Sequence, residues 1–205
     1  MTEELNKLKI AAAILAGGNS RRLGGLAKGT IKTGNGVSII DKLIKELAMS
    51  DISDIVIVAN DSTSYRNCGV KIISDIRAGI GPIGGIEAGL VHFTGQADAV
   101  MFVPCDMPNI TAKEMSDLKQ AFIETDSPVV FAETPGFFLH PLCAIVHNGL
   151  KGKISSAIDN GQRKIRDVWR QAKAVTVHFP EKNAFFNIND LADLDRWKNE
   201  KANFC

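Results

Sequence analysis

Short, continuous runs of apolar residues recur along the chain, and each run ends at glycine, proline or polar residues. The run at residues 10–15 stops at Gly17-Gly18, and the run at residues 99–103 stops at Pro104. Runs bounded in this way are typical of strands that are buried on both faces of a sheet. The pattern predicts strands at residues 10–15, 55–58, 70–73, 99–103, 129–132, 142–146 and 175–179.

Between these runs, hydrophobic residues return at the spacing of a helix that buries one face. Ser38-x-x-Asp41 and Thr111-x-x-Glu114 each resemble a capping box, in which two side chains bond free amides of the first helical turn. The pattern predicts helices after Ser38 and Thr111, through Glu87, and at residues 151–160, 163–171 and 191–198. Strands that alternate with helices predict an α/β fold, with three Rossmann-like layers and a mostly parallel central sheet.

The loops at the ends of the predicted strands are the places to look for chemistry. In open sheets of this class, ligands bind at the carboxyl ends of the strands. Informative loops follow Leu15, Ile73 and Val103. The chain has 205 residues and neither an internal repeat nor a clear linker, so we expect a single domain over residues 1–205.

Composition and charge exclude several classes of protein. Lys and Arg number 24 against 23 Asp and Glu, which gives no support for a protein that coats nucleic acid by bulk charge. No apolar run approaches the roughly 18–20 residues of a membrane span, and the polar start does not resemble a signal peptide. The four cysteines form no CxxC pair, which excludes a zinc ribbon. We expect a cytoplasmic protein with reduced thiols.

The loop after the first predicted strand combines glycines with cations. The glycines of the loop let backbone amides approach a ligand, and the loop also carries three cations, Arg21, Arg22 and Lys28. This combination favours polyphosphate binding over the alternative of a glycine-rich surface turn with solvated arginines. The order of residues excludes a Walker A loop, because the lysine comes before the glycine, and the loop holds no GxGxxG pattern.

Asp106 is the acidic candidate, since it follows an apolar strand inside Pro104-Cys105-Asp106-Met107-Pro108. Mg²⁺ prefers oxygen ligands and is commonly held by one or two carboxylates together with waters and substrate phosphates. One carboxylate at a strand end is therefore sufficient as an anchor. From the spacing alone, an aspartate that caps a turn between two prolines is an equally good interpretation.

At these residues the chain resembles a known family. The run from Leu15 to Gly24, followed by Lys28, is similar to the LAGG-x-S-x-R-M-G-x-x-K signature of nucleotidyltransferases of the molybdenum cofactor guanylyltransferase (MobA) type. The family transfers GMP from GTP to molybdopterin and releases pyrophosphate. The resemblance implies a Mg²⁺-dependent enzyme with a nucleotide-binding part near residues 9–110 and an acceptor-binding part near 111–200. Ala27 is a departure, because the family usually has Asp before its lysine.

The resemblance also implies roles for individual residues. Catalysis is expected from Lys28, Arg22 and Asp106, with Asp106 as the metal ligand. The segment that begins at Asp75 resembles the family's D…GP-L-x-G loop beside the guanosine, although an ordinary Gly/Pro loop before a helix is an open alternative. The implied nucleotide-binding residues are Leu15, Ala16, Gly17, Gly18, Lys28, Asp75, Gly81, Gly85 and Asp106.

Near the C-terminus, Phe185 to Leu191 resembles the family's F-x-N-[IV]-N segment, which implies acceptor binding by Asn187 and Asn189. The alternative is that Asn189 only caps the last helix. His140, followed by proline, matches a family position near the acceptor, whereas a lone histidine is more often structural. The basic run at residues 163–166 is a solvated face or a holder of the acceptor's phosphate.

Two other functions stay open on the sequence. A cytidylyl- or sugar-phosphate nucleotidyltransferase has similar phosphate loops, although Gly17-Gly18 favours guanine because cytidylyl relatives usually show Ala-Gly. The other open function is a non-catalytic carrier of a nucleotide or cofactor, which the departure from the family's Asp at Ala27 suggests. The expected partners are GTP, molybdopterin, and proteins that make or receive the cofactor, with no nucleic acid and no membrane.

Overall fold

The computed structural model describes residues 8–17 and 27–202, with side chains as far as residue 199. The strands are β1 (Ile10–Leu15), β2 (Ile55–Val58), β3 (Lys71–Ile73), β4 (Ala99–Pro104), β5 (Val129–Thr134), β6 (Phe138–His147) and β7 (Val175–His178). The α-helices are α1 (Ile39–Met49), α2 (Pro82–His92), α3 (Ala112–Glu124), α4 (Lys151–Asp159), α5 (Ile165–Gln171) and α6 (Leu191–Ala202). Short 3-10 helices lie at Lys28–Thr30, Thr63–Tyr65, Asn148–Leu150 and Lys182–Phe185.

All the strands lie in one 7-stranded sheet in the order β3-β2-β1-β4-β6-β5-β7. β1 pairs in parallel with both β2 and β4, and β5 pairs in parallel with β7. Among the strands of the described residues, only β6 runs against its neighbours, since it is antiparallel to both β4 and β5. The predicted α/β class with a mostly parallel central sheet is confirmed.

Two hydrophobic clusters, one on each face of the sheet, make the three layers. One contains Leu43 of α1, Leu118 of α3 and Trp197 of α6. The other contains Ile86 of α2 and Trp169 of α5. Alternate residues of β1 belong to opposite clusters, as expected for a central strand whose successive side chains point to opposite faces. Both tryptophans are at most 2% exposed and therefore serve packing.

The helix starts follow the predicted capping chemistry. Ser38 accepts a hydrogen bond from the backbone N of Asp41, at 3.2 Å. Thr111 and Glu114 form a complete capping box at the start of α3. Among the residues with assigned structure, no helix is long and apolar enough to cross a bilayer.

The largest error in the predicted boundaries concerns β6, which begins at Phe138 and not at residue 142. Pro141 disguises the earlier part because proline has no N–H for the ladder. The structure accommodates it where the β5–β6 register shifts, between the pairs Phe131↔Ala144 and Ala132↔His140. The β5–β6 hairpin therefore extends past the carboxyl end of β4, beside the site described next. Smaller corrections of a few residues apply at the ends of β3, β7, α5 and α6.

Candidate active site

The two central parallel strands bring their following loops together. Leu15 at the end of β1 is the register partner of Pro104 at the end of β4. The pairing continues past the strands, because Cys105 N donates to Leu15 O at 3.0 Å. On the other side of β1, Ala16 N donates to Val58 O at 2.9 Å. The carboxyl ends of β1, β2 and β4 thus form a continuous edge.

Lys28 and Asp106 meet at this edge. The Lys28 Nζ atom lies 3.2 Å from Asp106 Oδ2, in a contact that is both a hydrogen bond and an ion pair. Their side chains are 22% and 27% exposed, so a ligand from solvent reaches both. A cation and a carboxylate that are 78 positions apart in sequence therefore share one small volume.

The Lys28 turn is held from behind by a buried aromatic ring. Lys28 opens the 3-10 helix Lys28–Thr30, and Thr30 Oγ1 donates to Ala27 O at 2.8 Å. A Cβ atom built on Gly29 would lie 2.8 Å from Tyr65 Cε1, which is closer than real Cβ atoms come. Tyr65 is 2% exposed, and burial raises its pKa above the usual range, so its phenol stays neutral. The close packing of Tyr65 against Gly29 therefore fixes the position of the Lys28 turn relative to the core.

We expect Gly29→Ala to weaken turnover by roughly tenfold, because the added methyl group must push the Lys28 turn away from Tyr65. The measurement is kcat/KM for the pyrophosphate release that the family resemblance implies. Gly34→Ala is the matched control, because a Cβ at Gly34 meets nothing within 4 Å. Equal kcat/KM values for the two variants would show that the position of the Lys28 turn against Tyr65 does not affect turnover.

Cys105, between the strand end and Asp106, is a packed neutral thiol. Burial, with a contribution from the Asp106 charge, raises the pKa of Cys105 to about 12. The thiol therefore stays protonated at neutral pH and does not act as a nucleophile. Asp106 and Lys28 remain the charged pair that this edge offers to a ligand.

Asp75 and the start of α2 form the next part of the edge. Asp75 Oδ2 accepts from Asn60 Nδ2 at 2.9 Å, and Asp75 N donates to Asn60 Oδ1 at 3.1 Å. A Cβ on Gly85 would lie 2.9 Å from Leu15 Cδ2 and 3.7 Å from Asp75 Oδ1. Gly81, with a φ of 76°, is the N-cap residue of α2. The structure thus brings Asp75, Gly85 and Leu15 into one group.

The predicted acceptor segment joins the other side of the Asp106 loop. Ile188 N donates to Asp106 O at 2.9 Å, and the Ile188 side chain is completely buried. Asn187 on one side of it is half-buried and Asn189 on the other is exposed. The alternative that Asn189 caps the last helix is wrong, because Asp190 Oδ1 accepts from Asp193 N, at 2.9 Å.

His140 lies between the β5–β6 hairpin and this segment. Its ring stacks on Phe185 with centroids 4.8 Å apart, and its Nε2 lies 3.0 Å from Thr134 Oγ1. Burial lowers the pKa of His140 below its usual value, which favours the neutral ring. His140 therefore stands near the Asn187 segment as a neutral hydrogen-bonding group.

The basic run of residues 163–166 rims a separate cavity on the α2 and α5 face of the sheet. The cavity has a volume of about 750 Å³ and reaches Pro82 at the start of α2. Its apolar wall includes Leu139 and Trp169, and its rim includes Lys164 and Arg166. Four basic side chains against one carboxylate in the lining make the cavity electrostatically favourable for an anion.

Several expected residues lie outside the described part of the chain. These are Gly18, Arg22 and Gly24 of the glycine-rich loop. Gly17 is described and is exposed beyond the end of β1. The loop's predicted contribution to phosphate binding therefore stays a prediction.

Two supporting contacts were not predicted. Tyr65 backs the Lys28 turn, as described above. Asn109, just after the Asp106 loop, accepts from Trp197 Nε1 at 2.8 Å and donates to Asn183 O at 3.0 Å. These bonds tie the C-terminal segment to the Asp106 loop. Neither contact has a local sequence signal, because each joins distant parts of the chain.

The residues at this edge fit a Mg²⁺ ion that is held largely by its substrate. Asp106 offers carboxylate oxygens at a position open to solvent. Over residues 8–17 and 27–199, no three His, Cys, Asp or Glu side chains gather as metal ligands. A single open carboxylate of this kind could anchor Mg²⁺, which uses few protein carboxylates and completes its shell with water and phosphate.

Comparisons with known proteins agree with this arrangement. A family model described as the MobA-like NTP transferase domain matches residues 12–175. A molybdenum cofactor guanylyltransferase from Mannheimia succiniciproducens is 36% identical over 191 residues, which are 92% of this chain and 98% of that protein. One from Yersinia pestis is 33% identical over 195 residues, covering 94% of this chain and 96% of that protein.

The fold also has solved counterparts. The crystal structure of molybdopterin-guanine dinucleotide biosynthesis protein A from Archaeoglobus fulgidus is similar, with a TM-score of 0.73. It is 24% identical in sequence, and the match covers 94% of this chain and 99% of that chain. The likeness at that identity concerns the three-layer architecture.

Proposed function

Because the chain belongs to the MobA-like NTP transferase family and is therefore a nucleotidyltransferase, we propose that it transfers GMP from GTP to molybdopterin. The products are the guanine dinucleotide form of the cofactor and pyrophosphate. The observation that carries the proposal is the Lys28–Asp106 pair at the edge where β1 and β4 end. The relatives from Mannheimia succiniciproducens and Yersinia pestis, both named molybdenum cofactor guanylyltransferase, support the choice of substrates.

The proposed reaction is an in-line displacement at the α-phosphorus of GTP. A terminal phosphate oxygen of the acceptor forms a new bond to the α-phosphorus. At the same time, the bond from the α-phosphorus to the oxygen that bridges it to the β-phosphorus breaks. The electron pair leaves with pyrophosphate, and no proton need be removed because the nucleophile is already an anion. The obstacles are repulsion between two anions and the growing charge on the leaving group. Catalysis therefore comes from positioning and electrostatic stabilisation.

Lys28 and Asp106 supply those two effects in the proposal. The Lys28 ammonium neutralises nonbridging and leaving oxygens of the triphosphate. Asp106 would hold Mg²⁺, which when bound would act as a Lewis acid and spread the charge of the phosphate oxygens. Without nucleotide the two side chains neutralise each other at 3.2 Å. When the nucleotide and its cation bind, Lys28 would pair with a phosphate and Asp106 would pair with the cation.

The remaining residues bind the two substrates. We assign phosphate contacts to the end of β1, with Leu15, Ala16 and Gly17, and to Gly18 and Arg22 beyond it. Asp75, Gly81 and Gly85 are assigned to the guanosine, supported by the position of both Asp75 and Leu15 close to Gly85. Asn187, Asn189 and His140 are assigned to the acceptor.

Pyrophosphate release measured with GTP, CTP, UTP and ATP, with and without molybdopterin, tests the function. With Mg²⁺ we expect release only when GTP and molybdopterin are both present. Release with CTP in place of GTP would identify a cytidylyltransferase. Tight GTP binding without release in the presence of molybdopterin would identify a carrier, and either result would overturn the proposal.

The proposed activity carries expectations about surroundings. The enzyme would act in the cytoplasm, where reduced thiols such as Cys105 and Cys143 are stable. It would pass its product to molybdoenzymes or receive its substrate from other cofactor-biosynthesis proteins.

A further inference from the structure

Arg77 stands in the middle of the segment that joins β3 to α2, and its charge is shared by two carboxylates. Arg77 Nη2 lies 3.1 Å from Glu87 Oε1 on α2. Arg77 Nη1 donates to Asp159 Oδ1 at the end of α4. One planar guanidinium with several donors thus bridges two helices and the segment that carries Asp75 and Gly81.

The segment has little else to fix its middle. Ala78 and Gly79 form a turn, and no backbone–backbone hydrogen bond ties residues 76–80 to another segment of the described chain. Gly79 and Gly81 both have positive φ values, of 74° and 76°. At its first end the segment is held by the Asn60–Asp75 hydrogen bonds, and at its last end Ile80 packs on α2 at Gly84. Arg77 is the polar anchor between these two ends.

Burial of the Glu87 carboxylate is energetically unfavourable unless a cation lies beside it, and Arg77 is that cation. Its side chain is 3% exposed, and its Oε2 has no hydrogen-bond partner in the part of the chain that the structure describes. A buried carboxylate without a cation is strongly unfavourable, so Glu87 keeps the guanidinium in place. Asp159, at 64% exposure, fixes the other arm from the surface.

We propose that the Arg77–Glu87–Asp159 clamp is a positioning device that holds the Asp75–Gly81 segment in the conformation that binds the nucleotide base. The proposal rests on the proposed function, since it takes the guanosine to lie against that segment. Arg77 acts through Asp75 and Gly81 and does not touch the reacting phosphates, because both of its bonded Nη atoms face carboxylates. The clamp also joins the nucleotide part of the chain to α4, in the predicted acceptor part.

A clamp and a direct phosphate contact by Arg77 predict opposite results for Asp159→Ala. If the clamp orders the segment, Asp159→Ala loosens it, and the binding-competent conformation is populated less often. At about one-tenth occupancy, the apparent Kd for GTP rises about tenfold. If Arg77 instead binds phosphate, removing Asp159 frees a cation, and GTP binds as well as before or better.

The experiment compares Asp159→Ala, Arg77→Lys and the double variant in the full-length protein. Arg77→Lys keeps a charge for Glu87 but lacks the two-armed fork. We expect each single variant to raise the Kd and KM for GTP about tenfold, with kcat within about twofold of wild type. The double variant should be little worse than either single one, because both changes break the same bridge. Asp117→Ala, in an exposed ion pair of α3, is the matched control.

Hydrogen exchange supplies a readout that does not depend on nucleotide. We expect faster exchange in Asp159→Ala at the hydrogen-bonded amides that flank the segment, Asp75 N and Gly84 N, with β1 and β4 unchanged. Faster exchange throughout the fold would show a general loss of stability and overturn the positioning role, as would unchanged exchange and an unchanged Kd. If the wild-type protein binds no GTP, the proposed function fails and the base-positioning role fails with it. The exchange result then still decides whether the clamp orders the segment.

Discussion

Asp106→Asn is expected to abolish Mg²⁺-dependent pyrophosphate release from GTP and molybdopterin, with a loss in kcat of at least about 10²–10³. Asparagine keeps the size of the side chain but removes the negative charge that attracts the cation. It also leaves Lys28 without the ion partner that lies 3.2 Å away in the wild type. The measurement is the rate of pyrophosphate release across a Mg²⁺ titration.

The matched control is Asp117→Asn, which removes an exposed carboxylate from the surface of α3. It is expected to keep the wild-type rate and the wild-type Mg²⁺ dependence. Thermal midpoints close to that of the wild type for both variants would show that a loss of activity is not caused by unfolding. An Asp106→Asn enzyme with full activity at every Mg²⁺ concentration would remove Asp106 from the mechanism.

Lys28→Ala is expected to lower kcat/KM by about 10²–10³, because the ammonium to which the proposed mechanism assigns neutralisation of the transferring phosphates is lost. Lys164→Ala should cost much less, since Lys164 lines the cavity on the α2 and α5 face and not the Lys28–Asp106 edge. Lys113→Ala, on the exposed face of α3, is the control for loss of a surface cation. The three variants are compared in one assay with GTP and molybdopterin.

The relative size of the two lysine effects decides the placement of the triphosphate. A Lys28→Ala effect no larger than that of Lys164→Ala would argue that the phosphates lie elsewhere. A specific rise in the KM for molybdopterin on Lys164→Ala, with the KM for GTP unchanged, would place the acceptor's phosphate in the basic cavity. Either pattern is visible when KM is measured separately for each substrate.

The sequence predicts most of the fold because the signals are local. The apolar run at Ile10–Leu15 and the caps at Ser38 and Thr111 give the strands and helix starts almost to the residue. The reversed direction of β6 has no local signal, since it depends on which distant strand it pairs with. Pro141 hid its first residues, because the bulge that accommodates proline exists only once β5 is in place.

The candidate site could likewise be predicted from the sequence only in part. The loops with Lys28, Asp75 and Asp106 could be found because each directly follows a recognisable strand, and parallel strands bring their ends to one edge. The supports behind them could not be found. Tyr65 behind Gly29 and Asn109 under Trp197 become neighbours only through tertiary packing. The Arg77–Asp159 contact joins residues 82 positions apart.

The most direct test is a crystal structure with Mg²⁺ and a GTP analogue that cannot be cleaved. The account predicts that the Lys28–Asp106 ion pair opens, with Lys28 Nζ about 3 Å from a phosphate oxygen and Asp106 bound to the metal. An analogue seated away from the edge where β1 and β4 end, with that pair still closed, would contradict it.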